Sequence, residues 1–168
     1  MNSLIAHRFL VGEGLNEPER QEVLRLARRL RAQALAGHPG MPLAGRHVAI
    51  IAKADSPAVQ IVEEAASRLG AHVSYVDRLA LDTVRTRAAL AKLLADLYDA
   101  VDCDDAPEDS ALALEQLCDL PTFLGLGDER HPIRQLLPAL NDESGMPAAS
   151  EHADVVSLIQ AVLVECMC

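Results

Sequence analysis

Tryptophan is absent, and Phe9, Phe123, Tyr75 and Tyr98 are the only aromatic residues in a chain of 168. A core without large rings must be aliphatic, built here mostly from Ala, Leu and Val, with helices that approach closely. Positive charge is also scarce. The formal charge is -10, and no basic stripe offers the counterion release that drives nucleic-acid binding, so nucleic acid is excluded as a partner. No apolar run is long enough to cross a bilayer, and no N-terminal apolar segment with a cleavage site is present. A cytoplasmic protein with no membrane partner is expected. Cys103, Cys118, Cys166 and Cys168 show no C-x-x-C pair or other metal spacing, and four cysteines alone do not make a disulfide framework. Reduced thiols are expected, with Cys166 and Cys168 free to form adventitious links between chains in air.

What is present is half apolar and alternates regularly. The spacing of Val23, Leu24, Ala27, Leu30 and Ala34 predicts a helix over Pro18 to Ala34, capped by Asn16. Its basic residues, from Arg20 to Arg31, alternate with apolar ones and read as a solvated face. Val48 to Ala52 is a continuous apolar run of strand length, as in a parallel sheet covered on both faces. A helix over Pro57 to Leu69 follows, closed by Gly70. Next come a strand at His72 to Val76 and a helix at Thr83 to Leu97, with Ala89, Leu90, Leu93, Leu94 and Leu97 inward. A strand at Tyr98 to Cys103, a helix at Glu108 to Leu117 and a strand at Thr122 to Leu126 continue the alternation. His131 to Leu140 is again helical. Four strands alternating with helices predict a doubly wound, Rossmann-like α/β domain, a three-layer αβα sandwich with a four-stranded parallel sheet. Ligands in such sheets bind beyond the carboxyl ends of the strands, here at Lys53–Ala58, Asp77–Val84, Asp104–Asp109 and Gly127–His131. Asn141 to His152 is polar and carries Gly, Pro and Ser, which reads as a linker. A last amphipathic helix spans Ala153 to Cys166, expected to pack back on the domain.

The segments FLVGEGLNEPERQEVLRLARRLR, PLAGRHVAIIAKADS, RLGAHVSYVD and LPTFLGLGDERHPIRQLLPAL, in this order and spacing, resemble the amino-terminal, carbamoyl-phosphate-binding domain of the aspartate/ornithine carbamoyltransferases. The resemblance runs with gaps from about Phe9 to Leu140. It implies residues 1–140 as the α/β domain, 141–152 as a linker in place of the family's second, amino-acid-binding domain, and 153–168 as the helix that returns to the first domain.

The same resemblance exposes a degenerate site. The family holds carbamoyl phosphate with a Ser-Thr-Arg-Thr-Arg loop at a helix start, where N–H groups, hydroxyls and guanidinium groups converge on phosphate. Here Ser56 keeps the serine, but Pro57, Ala58, Val59 and Gln60 follow it. A register one residue shorter puts Asp55 at the serine, and neither register restores an arginine. The family's next arginine falls at about Asp104. Its loop reaching in from a neighbouring subunit corresponds roughly to Val84 to Ala88 and is not recognisable. Of the His-Pro-x-Gln motif, His131 and Pro132 remain, and Arg134 stands where the glutamine would be.

The candidate ligand residues are therefore Ser56, His131 and Arg134. Each has a plainer alternative: a helix cap for Ser56, a locally bonded helix-start histidine for His131, an exposed helix arginine for Arg134. Asp55, Asp104, Asp105 and Asp128 could instead form an acidic pocket for a divalent cation or an amine. No catalytic residue and no cofactor is expected, and the metal question stays open. The resemblance implies a carbamoyltransferase-like protein inactive by itself, a structural or regulatory subunit that self-associates, as a trimer in the family, or pairs with a full-length carbamoyltransferase. A small-molecule or cation site rebuilt in the old cleft, and one half of an active hetero-oligomer, are the alternatives.

Overall fold

The computed structural model describes residues 3–53, 56–81, 83–142 and 150–168. Helices α1 (Ser3–Leu10) and α2 (Glu17–Leu35) precede β1 (His47–Ala52), α3 (Pro57–Arg68) and β2 (His72–Asp77). A 3-10 turn at Arg78–Leu81 leads into α4 (Val84–Leu97), β3 (Ala100–Cys103), α5 (Glu108–Cys118) and β4 (Thr122–Leu124). A 3-10 turn at Pro132–Leu136, α6 (Leu137–Asn141) and α7 (Glu151–Met167) complete the chain.

All strand pairs are parallel and the order is β2-β1-β3-β4. The central strands bury both faces because helices lie on each. Val48 and Ile50 of β1 enter one apolar cluster with α1, α2, α3 and α7. Ala49 and Ile51, pointing the other way in the pleat, enter a second with α4 and α5. The predicted fold class is thus the observed one.

Local chemistry sets the ends of these elements. Asn16 accepts from Glu19 N–H at 2.9 Å while the Glu19 carboxylate takes the Asn16 N–H, a reciprocal capping box at the start of α2. After α3, Gly70 has φ +87, a conformation costly for any residue with a Cβ.

Helix α7 is buried almost all round: Val155, Val156, Leu158, Ile159, Val162 and Leu163 are in the core, and Asp154, Ser157 and Gln160 are buried as well. It packs on α1, α2 and α3 of its own chain. At about 1.5–3 kcal/mol for each large aliphatic side chain, this burial is worth on the order of 10 kcal/mol gross. Its polar residues find partners. Asp154 Oδ1 lies 2.9 Å from Arg31 Nη1, Asn141 Nδ2 donates to Asp154 Oδ2 at 3.0 Å, and Arg31 Nη1 donates to Asn141 Oδ1 at 3.1 Å. This cluster joins α2, α6 and α7.

Four expectations need correction. Arg31 is buried in that ion pair and Arg28 donates to the Ala139 carbonyl at 2.6 Å, so the basic face of α2 is not all solvated. Ala89, Leu93 and Leu97 face outward, since α4 is turned so that Leu90, Ala91 and Leu94 meet the core. The helix expected over His131 to Leu140 is a 3-10 turn followed by α6, because Pro138 has no N–H to continue a helical ladder. Cys166 is buried, and desolvation pushes its thiol up to about 12, which leaves only Cys168 of that pair exposed. Helix α1 was not anticipated at all. Residues 143–149, most of the expected linker, lie outside the described residues, as do Ala54, Asp55 and Asp82.

Candidate functional site

The carboxyl ends of β1 and β3, the first turns of α3 and the loop after β4 enclose an open cleft of about 1010 Å³. Ser56, Asp104, Asp128 and Arg134 all line it. His131 does not. It lies in an adjoining hollow of about 310 Å³ beside Phe9, Gly125 and Pro132, and Asp105, Asp128 and Arg130 border both spaces.

At the start of α3 the local sequence consumes its own donors. Ser56 Oγ accepts from Val59 N–H at 3.1 Å, and the Ser56 carbonyl accepts from Gln60 N–H at 2.9 Å. Pro57 has no N–H. Of the N–H groups that a helix start offers to an anion, only that of Ala58 is uncommitted among the described residues. Ser56 acts as a helix cap, with its lone pairs turned into the helix.

The lining of the cleft is acidic on balance. Its lining carries six carboxylates, Glu64, Asp104, Asp105, Asp128, Glu129 and Glu151, against Lys53, Arg130 and Arg134, with His152 beside them. Arg134 Nη2 donates to the Gly127 carbonyl at 2.9 Å, so its guanidinium is partly spent on the loop after β4. Burial, then repulsion from Asp105 and Asp128, raises the Asp104 pKa above its ordinary value. Among the described residues no three His, Cys, Asp or Glu side chains are grouped to hold a metal ion. Asp55, the fourth member of the proposed acidic pocket, lies outside them.

His131 caps the turn that follows it: Nδ1 accepts from Ile133 N–H at 3.2 Å, and the ring packs on Phe9 with centroids 4.9 Å apart. Nε2 is buried with no partner among the described residues. Desolvation lowers the imidazole to about 4, with Asp128 opposing and Arg134 assisting the shift. A neutral ring, fixed by its own turn, is what this geometry yields.

Two residues were missed by sequence reasoning. Asp102, read only as part of an acidic run, is buried in β3 and accepts from Leu126 N–H at 2.9 Å, which anchors the loop after β4. Its burial raises the carboxyl to about 7. A carboxylate inside a central parallel strand was the available signal. Gly127 is the other. A Cβ there would strike the Ala58 carbonyl and come within 2.7 Å of Ile61 Cγ2, so the loop can lie against α3 only if residue 127 is glycine. Gly127→Ala is expected to cost about 2 kcal/mol or more through overpacking and to widen the cleft, measured as a lowered urea midpoint at unchanged m. The segment Val84 to Ala88, where the family's reaching loop is not recognisable, is the first turn of α4, within the expected helix and held by a Thr83–Thr86 capping box.

The class that this fold defines is the Rossmann-like α/β domain of the ornithine/aspartate carbamoyltransferase type. No family model matches the chain, but individual relatives do. It is 30% identical over 127 residues to ornithine carbamoyltransferase of Actinobacillus pleuropneumoniae serotype 5b, covering 74% of this chain and 38% of that protein. It is 28% identical over 131 residues to that of Pediococcus pentosaceus, covering 76% and 39%. Ornithine carbamoyltransferase from Pyrococcus furiosus superposes with a TM-score of 0.64 at 25% identity, over 73% of this chain and 40% of that one. Aspartate transcarbamoylase from Trypanosoma cruzi, solved in complex with phosphate, gives 0.62 at 21% identity, over 75% and 41%. The chain spans about two fifths of the length of the relatives it matches, a partial match of the amino-terminal-domain kind.

Proposed function

We propose that this chain is a carbamoyltransferase-like domain without carbamoyl transfer of its own, serving as a structural or regulatory subunit in the cytoplasm. It would assemble with copies of itself or with a full-length carbamoyltransferase. In this reading residues 141–152 stand in for the second domain, and α7 is the returning helix. The observation that carries it is the first turn of α3: Ser56 is committed to capping, Pro57 offers no donor, and no arginine stands where the resemblance would require one. The loss of about three arginines and two threonines, at roughly 1.5–3 kcal/mol per charge-assisted bond, removes several kcal/mol of phosphate binding. Millimolar affinity amounts to only about 4 kcal/mol. The carboxylates around the cleft add repulsion. Stabilising the departing phosphate would need cationic groups that the first turn of α3 does not bring.

The test is a transfer assay on the purified chain with carbamoyl phosphate and either ornithine or aspartate, alongside its mass in solution. No carbamoylated product above the uncatalysed rate is expected, from a protein that associates. Measurable turnover would overturn the reading.

A further inference from the structure

We propose that His47 and His72 hold a divalent transition-metal ion of the zinc, nickel or copper class between their imidazole rings. The site lies at the amino ends of β1 and β2, at the other end of the sheet from the cleft, and is independent of the subunit role.

The sheet brings the two residues together. His47 and His72 open adjacent parallel strands and are direct register partners, so their backbones stand about 4.8 Å apart with side chains on one face. Both backbones are held in place. His47 N–H donates to Asp99 Oδ2 at 2.8 Å, and the His47 carbonyl accepts from Asp99 N–H at 2.8 Å. His72 N–H donates to the Arg46 carbonyl at 2.8 Å. Both side chains are exposed, and their ring centroids are 5.1 Å apart with 28° between the planes. That spacing suits a chelate. Two imidazoles on one tetrahedral ion, with Zn–N bonds of about 2.0–2.1 Å, place their centroids roughly 5 Å apart. The rings stand nearly parallel, and a turn about χ2, a broad torsion in histidine, lets a nitrogen of each meet one ion.

The other four histidines are engaged elsewhere. His7 bonds to Glu115, His152 to Glu64 and His38 to the Ala36 carbonyl, while His131 Nδ1 accepts from Ile133 N–H. Among the described residues, neither His47 nor His72 has a side-chain hydrogen bond or an ion pair, and each ring has only the other as its neighbour in a stack. Imidazole nitrogen suits zinc, nickel and copper, whereas Mg²⁺ and Ca²⁺ take oxygen ligands. The nearby carboxylate is already spent: Asp99 Oδ1 lies 2.7 Å from Arg46 Nη1, and Oδ2 takes the His47 N–H. The ion therefore has two protein nitrogens and keeps water in its remaining positions, an open site that ties the amino ends of β1 and β2 together.

Titration calorimetry of the full chain with Zn²⁺ and with Ni²⁺, in a non-chelating buffer, tests this. One ion per chain is expected, with binding at least tenfold weaker in His47→Gln and in His72→Gln, and no heat of binding with Mg²⁺. Both residues are exposed, so the variants should keep the wild-type thermal midpoint without metal, and only wild type should gain in midpoint as Zn²⁺ is added. Cys168→Ser and His7→Gln should bind as wild type does, since neither residue belongs to the pair. No saturable binding by wild type would overturn the proposal. So would single variants that lose half the bound ions at unchanged affinity, which would show two separate imidazoles in place of a chelate. Loss of binding in Cys168→Ser would also overturn it, by placing the metal on the exposed thiol.

Discussion

Asp154→Ala is expected to lower stability by about 3 kcal/mol or more, a large effect for one exchange in a domain of this size. The carboxylate neutralises the Arg31 guanidinium where the two side chains are 4% and 7% exposed, and it takes a hydrogen bond from Asn141. Removing it takes the Asp154 carboxylate from a buried guanidinium, which is costlier than losing the attraction of an exposed pair. A double exchange should rescue the loss. The pair Arg31→Met and Asp154→Leu should recover most of the loss, because replacing both charges with apolar groups of similar volume restores packing without desolvating either ion. Urea unfolding of the three proteins, compared at equal m, measures this. A single variant within about 0.5 kcal/mol of wild type would show that the α2–α7 seam does not depend on the pair.

The second large effect is in the pH dependence, where two buried groups act in opposite directions. Asp102 is raised to about 7 by burial, so it binds a proton in the folded chain at pH values where the unfolded chain has released it. Its contribution is most favourable below about pH 4 and is lost as the pH rises through about 7, a swing of up to roughly 4 kcal/mol. His131 is lowered to about 4, so the unfolded chain takes up a proton that the folded chain refuses. Its contribution is present above about pH 6.5 and is lost as the pH falls through about 4, a swing of roughly 3 kcal/mol. Between pH 4 and 6.5 the two slopes cancel. Asp102→Asn keeps an acceptor for Leu126 N–H and should gain stability relative to wild type as the pH is raised from 4 to 8. His131→Gln should gain relative to wild type as the pH is lowered from 7 to 4. Unfolding free energies of both variants at a series of pH values read the slopes directly, and parallel curves for wild type and either variant would contradict the assignment.

The sheet was legible in the sequence because short-range rules suffice for it. A continuous apolar run such as Val48 to Ala52 has few meanings between two capped helices, and Gly70 and Asn16 punctuate as their chemistry requires. What escaped reading depends on contacts distant in the chain. Arg31 looks like any arginine on a charged helix until α7 brings Asp154 against it. Helix α4 carries apolar residues over so wide an arc that spacing could not choose which part meets the sheet. Helix α1 is short and gains its stability from packing on α7 and the β4 side of the sheet, which no local signal announces. Ser56 and Arg134 line one cleft, whereas the His131 ring borders the adjoining hollow, where it caps the turn at Ile133 and packs on Phe9.

The claim on which the functional reading stands is that a small phosphate dianion finds no home between Ser56, Asp104 and Arg134. Titration calorimetry of the purified chain with carbamoyl phosphate addresses it most directly. Heats indistinguishable from dilution up to millimolar ligand are predicted, and a saturable isotherm with a sub-millimolar Kd would contradict the account.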